Sequence, residues 1–214
     1  MTAAIKALTE LLFPTLCLSC SKVLQERGGH PFCPECFAGI RFINGPLCPV
    51  CGIPYPAEES PDHVCGDCLL KKRHIGTARS LGVYESILHD AVHAFKYRGN
   101  LTLGERLGRL MAEHDYPSFR IRDYSLILPV PLHPRRLRQR GFNQSVILAR
   151  EISRRHGVAM DFRTLRRIID TESQAGLKKE ERRSNIRQAF CTADPERVRG
   201  QNMLFVHDVY TTGS

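Results

Sequence analysis

No apolar run in the 214 residues approaches the ~18 that a membrane-spanning helix needs, so no helical span is expected. An export signal is lacking as well. In Met1–Leu16 the apolar Ile5, Leu8 and Leu12 recur at helical spacing, but Lys6 and Glu10 interrupt them and no small-residue cleavage site follows. That segment reads as a short amphipathic helix packed on the rest of the protein, too short and too weakly basic to favour a membrane surface. Low-complexity tails are absent, and the one repeat is a cysteine spacing. Apolar content of 42% is ordinary for a globular chain, and the length suits one domain, or one domain and a small module.

What the chain has in excess is cysteine, unevenly placed. Eight of nine fall in four C-x-x-C pairs within the first 68 residues: Cys17/Cys20, Cys33/Cys36, Cys48/Cys51 and Cys65/Cys68. Without an export signal, this pattern favours metal thiolates in a reducing compartment over disulfides, and a cytoplasmic location is expected. Two intervening residues let one tight turn aim both sulfurs at a common point, half of a tetrahedral site. The intervals predict one zinc on Cys17, Cys20, Cys33 and Cys36 and a second on Cys48, Cys51, Cys65 and Cys68. Interleaved pairing, first with third and second with fourth, is the competing connectivity. Four thiolates leave no open position, so the sites are structural, and metal binding worth ~10–16 kcal/mol per site would supply the module's folding energy. His30 and His63 lie near the pairs and read as surface residues. Cys191 stands alone in an apolar strand-like stretch and is expected to be a buried core thiol.

Charge is uneven too. The formal net charge is +9, and residues 131–187 alone hold 15 Lys/Arg against 6 Asp/Glu, so the remainder sums to zero. One basic segment therefore faces an anionic partner, either small-molecule phosphate or a nucleic-acid backbone.

Composition changes near residue 75, which divides the chain into a zinc module (1–75) and an α/β domain (76–214). Ala78–Tyr84 reads as a strand. Leu88, Val92 and Phe95 share one helix face, and Leu103, Leu107, Leu110 and Met111 share another. Leu126–Leu128, closed by Pro129, has the pattern of a strand buried on both faces. Ser145, Leu148, Ala149 and Ile152 form the inner stripe of a helix ended by Gly157. Met203–Val206 reads as a second buried strand. Apolar strands alternating with helices predict a parallel sheet covered on both sides.

Met203–Val206 runs through His207 into Asp208 and then Thr211-Thr212-Gly213-Ser214. Backbone N–H groups at such a turn, the dipole of a following helix and the hydroxyls together make a cradle for phosphate, and Gly213 admits close backbone approach. A carboxylate at the strand end is placed to accept hydrogen bonds from ribose hydroxyls. Upstream, Arg135, Arg136, Arg138 and Arg140 crowd six residues, a density that favours anion contact over a merely solvated face. Lys178, Lys179, Arg182 and Arg183 fit an exposed helix beginning near Gln174 equally well.

The terminal segment resembles the phosphoribosyl pyrophosphate (PRPP) motif of type I phosphoribosyltransferases. Further pieces narrow the likeness: Phe95-Lys-Tyr-Arg-Gly99, Pro129-Val-Pro-Leu-His-Pro134, Arg140-Gly-Phe-Asn-Gln144 and the run Thr171…Gln174…Leu177…Arg183…Asn185…Ala189-Phe190 resemble the ComF family, over essentially the whole chain. That resemblance implies a double zinc ribbon followed by a phosphoribosyltransferase-like parallel sheet flanked by helices. It implies that Asp208 holds ribose and that Thr211, Thr212, Gly213 and Ser214 hold a 5′-phosphate. The turn containing Pro131 and His133, with Arg135 and Arg140 after it, would take the pyrophosphate, with Mg2+ accompanying PRPP. Two departures stand out. His207 occupies the first acidic position, which weakens the site or abolishes catalysis, or leaves a neutral ring accepting one hydroxyl bond. The chain also stops at Ser214, before the helix expected after the loop.

Three functions follow from the resemblance. The favoured one is handling of single-stranded DNA or nucleotides, as in competence and DNA uptake. With few stacking aromatics (Tyr97, Phe142, Tyr210), contact with DNA is expected to be mostly electrostatic and sequence-blind. The others are an active PRPP-dependent transferase and a non-catalytic zinc-ribbon adaptor for protein partners in a DNA-uptake or helicase assembly.

Overall fold

A computed structural model of the chain describes residues 14–24, 31–56, 61–71, 74–170 and 188–210. The predicted N-terminal helix, the helix near Gln174, His30 and the Thr211, Thr212, Gly213 and Ser214 turn lie outside the described residues. Two one-turn helices, α1 (Pro34–Ala38) and α2 (Gly66–Leu70), belong to the cysteine-rich front. There follow α3 (Ser86–Arg98), α4 (Leu101–Glu113), β1 (Leu126–Pro129), α5 (Pro134–Arg140), α6 (Gln144–His156), β2 (Ala159–Met160), β3 (Leu165–Arg167), β4 (Phe190–Thr192) and β5 (Met203–Val206).

The centre is a parallel three-stranded sheet in the order β2-β1-β5. All four residues of β1 are buried, because neighbours flank it on both edges and helices cover it. The unbroken run Leu-Ile-Leu is what such a strand requires. Helix α6 lies on the sheet through Leu148, Ala149 and Ile152, and α4 packs along α6. Close approach of α3 to α4 depends on Gly104, where an added Cβ would come within 2.2 Å of the Phe95 ring. Asn100 caps α4 by accepting from the Leu103 amide at 3.0 Å, just after Gly99 ends α3 at φ 63.

Three expectations are corrected. Ala78–Tyr84 is no sheet strand; it runs extended against the cysteine-rich front. Ala78 N–H donates to Val50 at 2.8 Å, Val83 N–H to Arg41 at 2.9 Å, and Leu81 C=O accepts from Ile43 at 3.2 Å. Its apolar Ala78, Leu81 and Val83 are half-buried, and its backbone bonds go to the front instead of to a sheet. Met203–Val206 is only partly buried, with Phe205 46% exposed, because no strand among the described residues flanks its outer edge. Cys191 is half-buried, since it lies in β4 of a separate antiparallel β3–β4 ribbon away from the main core.

Between α4 and α6 one charge is buried. Glu151 Oε2 accepts from Arg109 Nε at 3.2 Å and from Arg154 at 2.8 Å. Burial raises its pKa, but the two guanidiniums outweigh that and hold it below the usual carboxylate range. A folded pKa below the unfolded one contributes stability that is complete above about pH 4.3 and fades as pH falls through the folded value. Glu151→Gln should therefore destabilise the chain by about 1–2 kcal/mol near neutrality. Urea melts of the two proteins should converge in acid.

Candidate functional site

The eight paired cysteines form two clusters: Cys17, Cys20, Cys33 and Cys36, and Cys48, Cys51, Cys65 and Cys68. The sequential connectivity holds and the interleaved one does not. Within each cluster all four sulfurs lie within 4.8 Å of one another. Cys20 Sγ and Cys33 Sγ are 3.6 Å apart, as are Cys51 Sγ and Cys65 Sγ. Tetrahedral ligands at Zn–S ≈ 2.3 Å would sit about 3.8 Å apart, so the spacing fits zinc.

The groups around the sulfurs fit as well. The Cys33 amide points at Cys17 Sγ at 3.3 Å, and the Cys65 amide at Cys48 Sγ at 3.4 Å. Burial raises the Cys17 thiol, but amides of Cys20, Cys33 and Ser19 overcome it and bring the pKa to about 6. Cys48 is likewise raised by burial yet lowered to about 6 by the amides of Cys51, Cys65 and Val50. Each cluster thus has one sulfur favoured as thiolate, whereas burial and the neighbouring thiols push Cys51 up to about 12. Full deprotonation needs the cation, so metal uptake releases protons. His63 is no ligand: its ring stacks on Tyr55 with centroids 4.0 Å apart.

The two clusters repeat one local fold. Cys17 N–H donates to Lys22 and Ser21 N–H to Cys17; in the second half Cys48 N–H donates to Ile53 and Gly52 N–H to Cys48. The bridges Leu16↔Val23 and Leu47↔Pro54 correspond, as do α1 and α2. The repeat demands a left-handed residue after each first pair. Gly52 meets it at φ 69, whereas Ser21 adopts φ 59 at a steric penalty.

At the back of the molecule, the Val130 amide donates to Val206 C=O at 3.0 Å. That bond makes the Pro131–Pro134 turn and His207–Asp208 leave the sheet together, at the carboxyl end of parallel β1 and β5. Ligands of open α/β sheets sit at this edge. Asn143 fixes the turn from the other side, donating to Val130 C=O at 3.1 Å while capping α6 through Ser145 N–H.

The sequence-predicted residues divide into two groups here. His133 Nδ1 lies 3.5 Å from Asp170 and Arg135 3.4 Å from it, with Arg136 at 3.8 Å. Asp208 and Arg140 instead converge on the last turn of α3. Lys96 Nζ is 2.7 Å from Asp208 Oδ2, and the Arg140 guanidinium lies 5.4 Å from the Tyr97 ring centroid. The Asp208 side chain is 6% exposed, so its charge is already matched by a lysine. His207 Nδ1 bonds Val209 C=O at 2.7 Å, which requires a proton on Nδ1 and turns Nε2 toward Asp208 at 3.4 Å. Buried Gln144, next to the turn, has an amide nitrogen with no partner among the described residues.

Sequence reasoning missed Lys96, Tyr97 as the seat of Arg140, and Asp170. The Phe95-Lys-Tyr-Arg motif was the available signal for the first two. Asp170 is an isolated acid whose role appears only when β3 delivers it beside α5.

Residues 8–69 match the double zinc ribbon domain family. Along 95% of its length the chain is 33% identical to the DNA utilization protein YhgH of Salmonella typhimurium, covering 88% of that protein. The chain belongs to the ComF family. Other ComF-family relatives are the competence protein ComFC of Bacillus subtilis, 27% identical over 85% of this chain and 73% of the relative, and competence protein F of Haemophilus influenzae, 29% identical over 93% and 80%. No solved structure matches.

The zinc geometry yields two outcomes to measure. Cys17→Ser should halve the zinc per chain by metal analysis, leaving the second cluster loaded. Ser21→Gly should slow zinc loss to a chelator, by relieving about 1 kcal/mol of left-handed strain. Gly52→Ala should accelerate it, since the added Cβ would stand 2.5 Å from Ala78 O.

Proposed function

We propose that the chain handles single-stranded DNA or its nucleotides, with residues 1–75 as a zinc-folded scaffold and 76–214 as a phosphate-binding α/β domain. The observation that carries this reading is the Val130–Val206 bond, which sets the basic Pro131–Arg140 segment beside Asp208 at the carboxyl edge of the sheet. An anion there would meet Arg135 and Arg136 in competition with Asp170, while a sugar would meet Asp208 and His207. With Nδ1 donating to Val209 C=O, Nε2 is the ring atom left to meet a ribose hydroxyl, beside Asp208. The names of the relatives, a DNA utilization protein and two competence proteins, agree with DNA as partner.

Binding is favoured over transferase chemistry. A carboxylate paired with Lys96 and beside a histidine has little charge left for Mg2+, and Asp208 must part from Lys96 before it can share one.

The intact chain should be titrated with PRPP/Mg2+ and with labelled single-stranded DNA, each competing against the other. Arg135→Ala/Arg136→Ala should weaken DNA binding about tenfold at low salt, and the wild-type affinity should fall steeply between about 50 and 200 mM salt. His207→Asp should raise PRPP affinity. DNA affinity indifferent to salt, together with no heat from PRPP, would overturn the reading.

A further inference from the structure

Helix α3 buries Leu88, Ala91, Ala94 and Phe95. On its solvent side His89, His93 and Tyr97 follow one another every four residues, a rise of about 6 Å per step that places each ring above the last. Their centroids are 6.1 Å apart from His89 to His93 and 4.6 Å from His93 to Tyr97. Tyr84, just ahead of the helix, extends the row at 5.2 Å from His89, and Arg140 closes it over Tyr97. All four rings are exposed, Tyr97 by 66%.

Pairs at this spacing stabilise a helix by only ~0.2–0.5 kcal/mol each, which is a weak reason to leave four rings in water. Their position is more informative. The row ends at Arg140 and Lys96, beside the sheet edge. Tyr84 is near enough to that edge for its phenol pKa to be raised by burial first and by the Asp208 carboxylate second. Two carboxylates near the row face permanent cations: Glu85 lies 3.3 Å from Arg41, and Asp208 lies against Lys96. A polyanion approaching this face therefore meets those two acids already paired, with Asp90 hydrogen-bonded to His89 at 3.0 Å. Flat rings suit nucleobases, and only unpaired bases offer their faces, since a duplex shows base edges in its grooves.

We infer that the Tyr84–His89–His93–Tyr97 row is a stacking track for the bases of single-stranded DNA, with Arg140 at its end guiding the backbone to the sheet edge. The inference rests on the DNA-handling reading above and supplies the surface that contacts bases. It revises the expectation of mostly electrostatic contact, which counted Tyr97 alone on this face. Of the other two aromatics in that count, Phe142 packs against buried Phe95, and Tyr210 stands at the edge of the described residues.

The test measures fluorescence anisotropy of the intact, zinc-loaded chain with labelled oligothymidine and with an abasic deoxyribose-phosphate strand of equal length. Wild type should prefer oligothymidine by roughly 5- to 100-fold, the scale of one stacked base. His89→Ala/His93→Ala should erase most of that preference while abasic affinity stays within about twofold. Tyr97→Phe should keep the preference and Tyr97→Ala reduce it. Equal preference in wild type and the His double variant would overturn the stacking track while leaving DNA binding in place. Failure of wild type to bind either strand would overturn both readings. Unaltered zinc content and helical circular dichroism would show that these exposed substitutions leave the fold intact.

Discussion

Four thiolates closing on one divalent cation is the interaction from which the front of this molecule, and through it the back, takes shape. Cys17, Cys33, Phe32 and Ile40 lie in the same buried cluster as Leu88, Ala91 and Phe95 of α3. An added Cβ at Gly39, at the end of α1, would stand 3.1 Å from Ile87, and one at Gly82 would stand 2.7 Å from Leu88. The inner face of α3 is therefore held by the front whose cysteines gather into two four-sulfur clusters. Its last turn is what grips Asp208 and Arg140. A closed four-cysteine centre does no chemistry, yet it fixes the helix on which the far site leans.

At that far site, geometry explains how one edge can collect groups from distant stretches of sequence. Parallel pairing of β1 and β5 brings two chain exits together, and Asn143 pins one of them through Val130. The Arg-Gly-Phe-Asn stretch thus has a structural explanation for each residue. Arg140 stacks on Tyr97, Gly141 ends α5 at φ 80, Phe142 packs on Phe95, and Asn143 ties the turn to the next helix.

Much of this was legible in the sequence because strong local rules governed it. Four C-x-x-C pairs leave few geometries for a tetrahedral cation, and Leu126–Leu128 has no polar residue to offer solvent. Ala78–Tyr84 was misread because strand-like composition reveals that a segment is extended, not what its backbone pairs with; here it was the zinc module. Cys191 and Phe205 were misread for a related reason: strand composition does not show whether a strand is central or at an edge. The Lys96–Asp208 pair joins residues far apart in sequence, with no local period to announce it. The ring row on α3 was hidden differently. Its four-residue spacing is plain, but attention to the apolar stripe of an amphipathic helix passes over the opposite side, where histidines read as solvated.

Charge divides the sequence into stretches of opposite character. Each zinc-loaded centre of four thiolates leaves two negative charges, whereas residues 131–187 carry nine net positive ones. Screening within about 8–10 Å means that neither field reaches across the whole protein, so a strand of DNA bound as proposed would be sorted by what it touches. Near the thiolate centres its phosphates would be repelled; along α3 its bases would meet rings; at the sheet edge its phosphates would meet arginines. A site divided in this way would have no need of a second acid at His207. The carboxylate pair matters to a transferase that must hold a metal-bound pyrophosphate, whereas an anion passing along arginines is better served by one fewer negative charge.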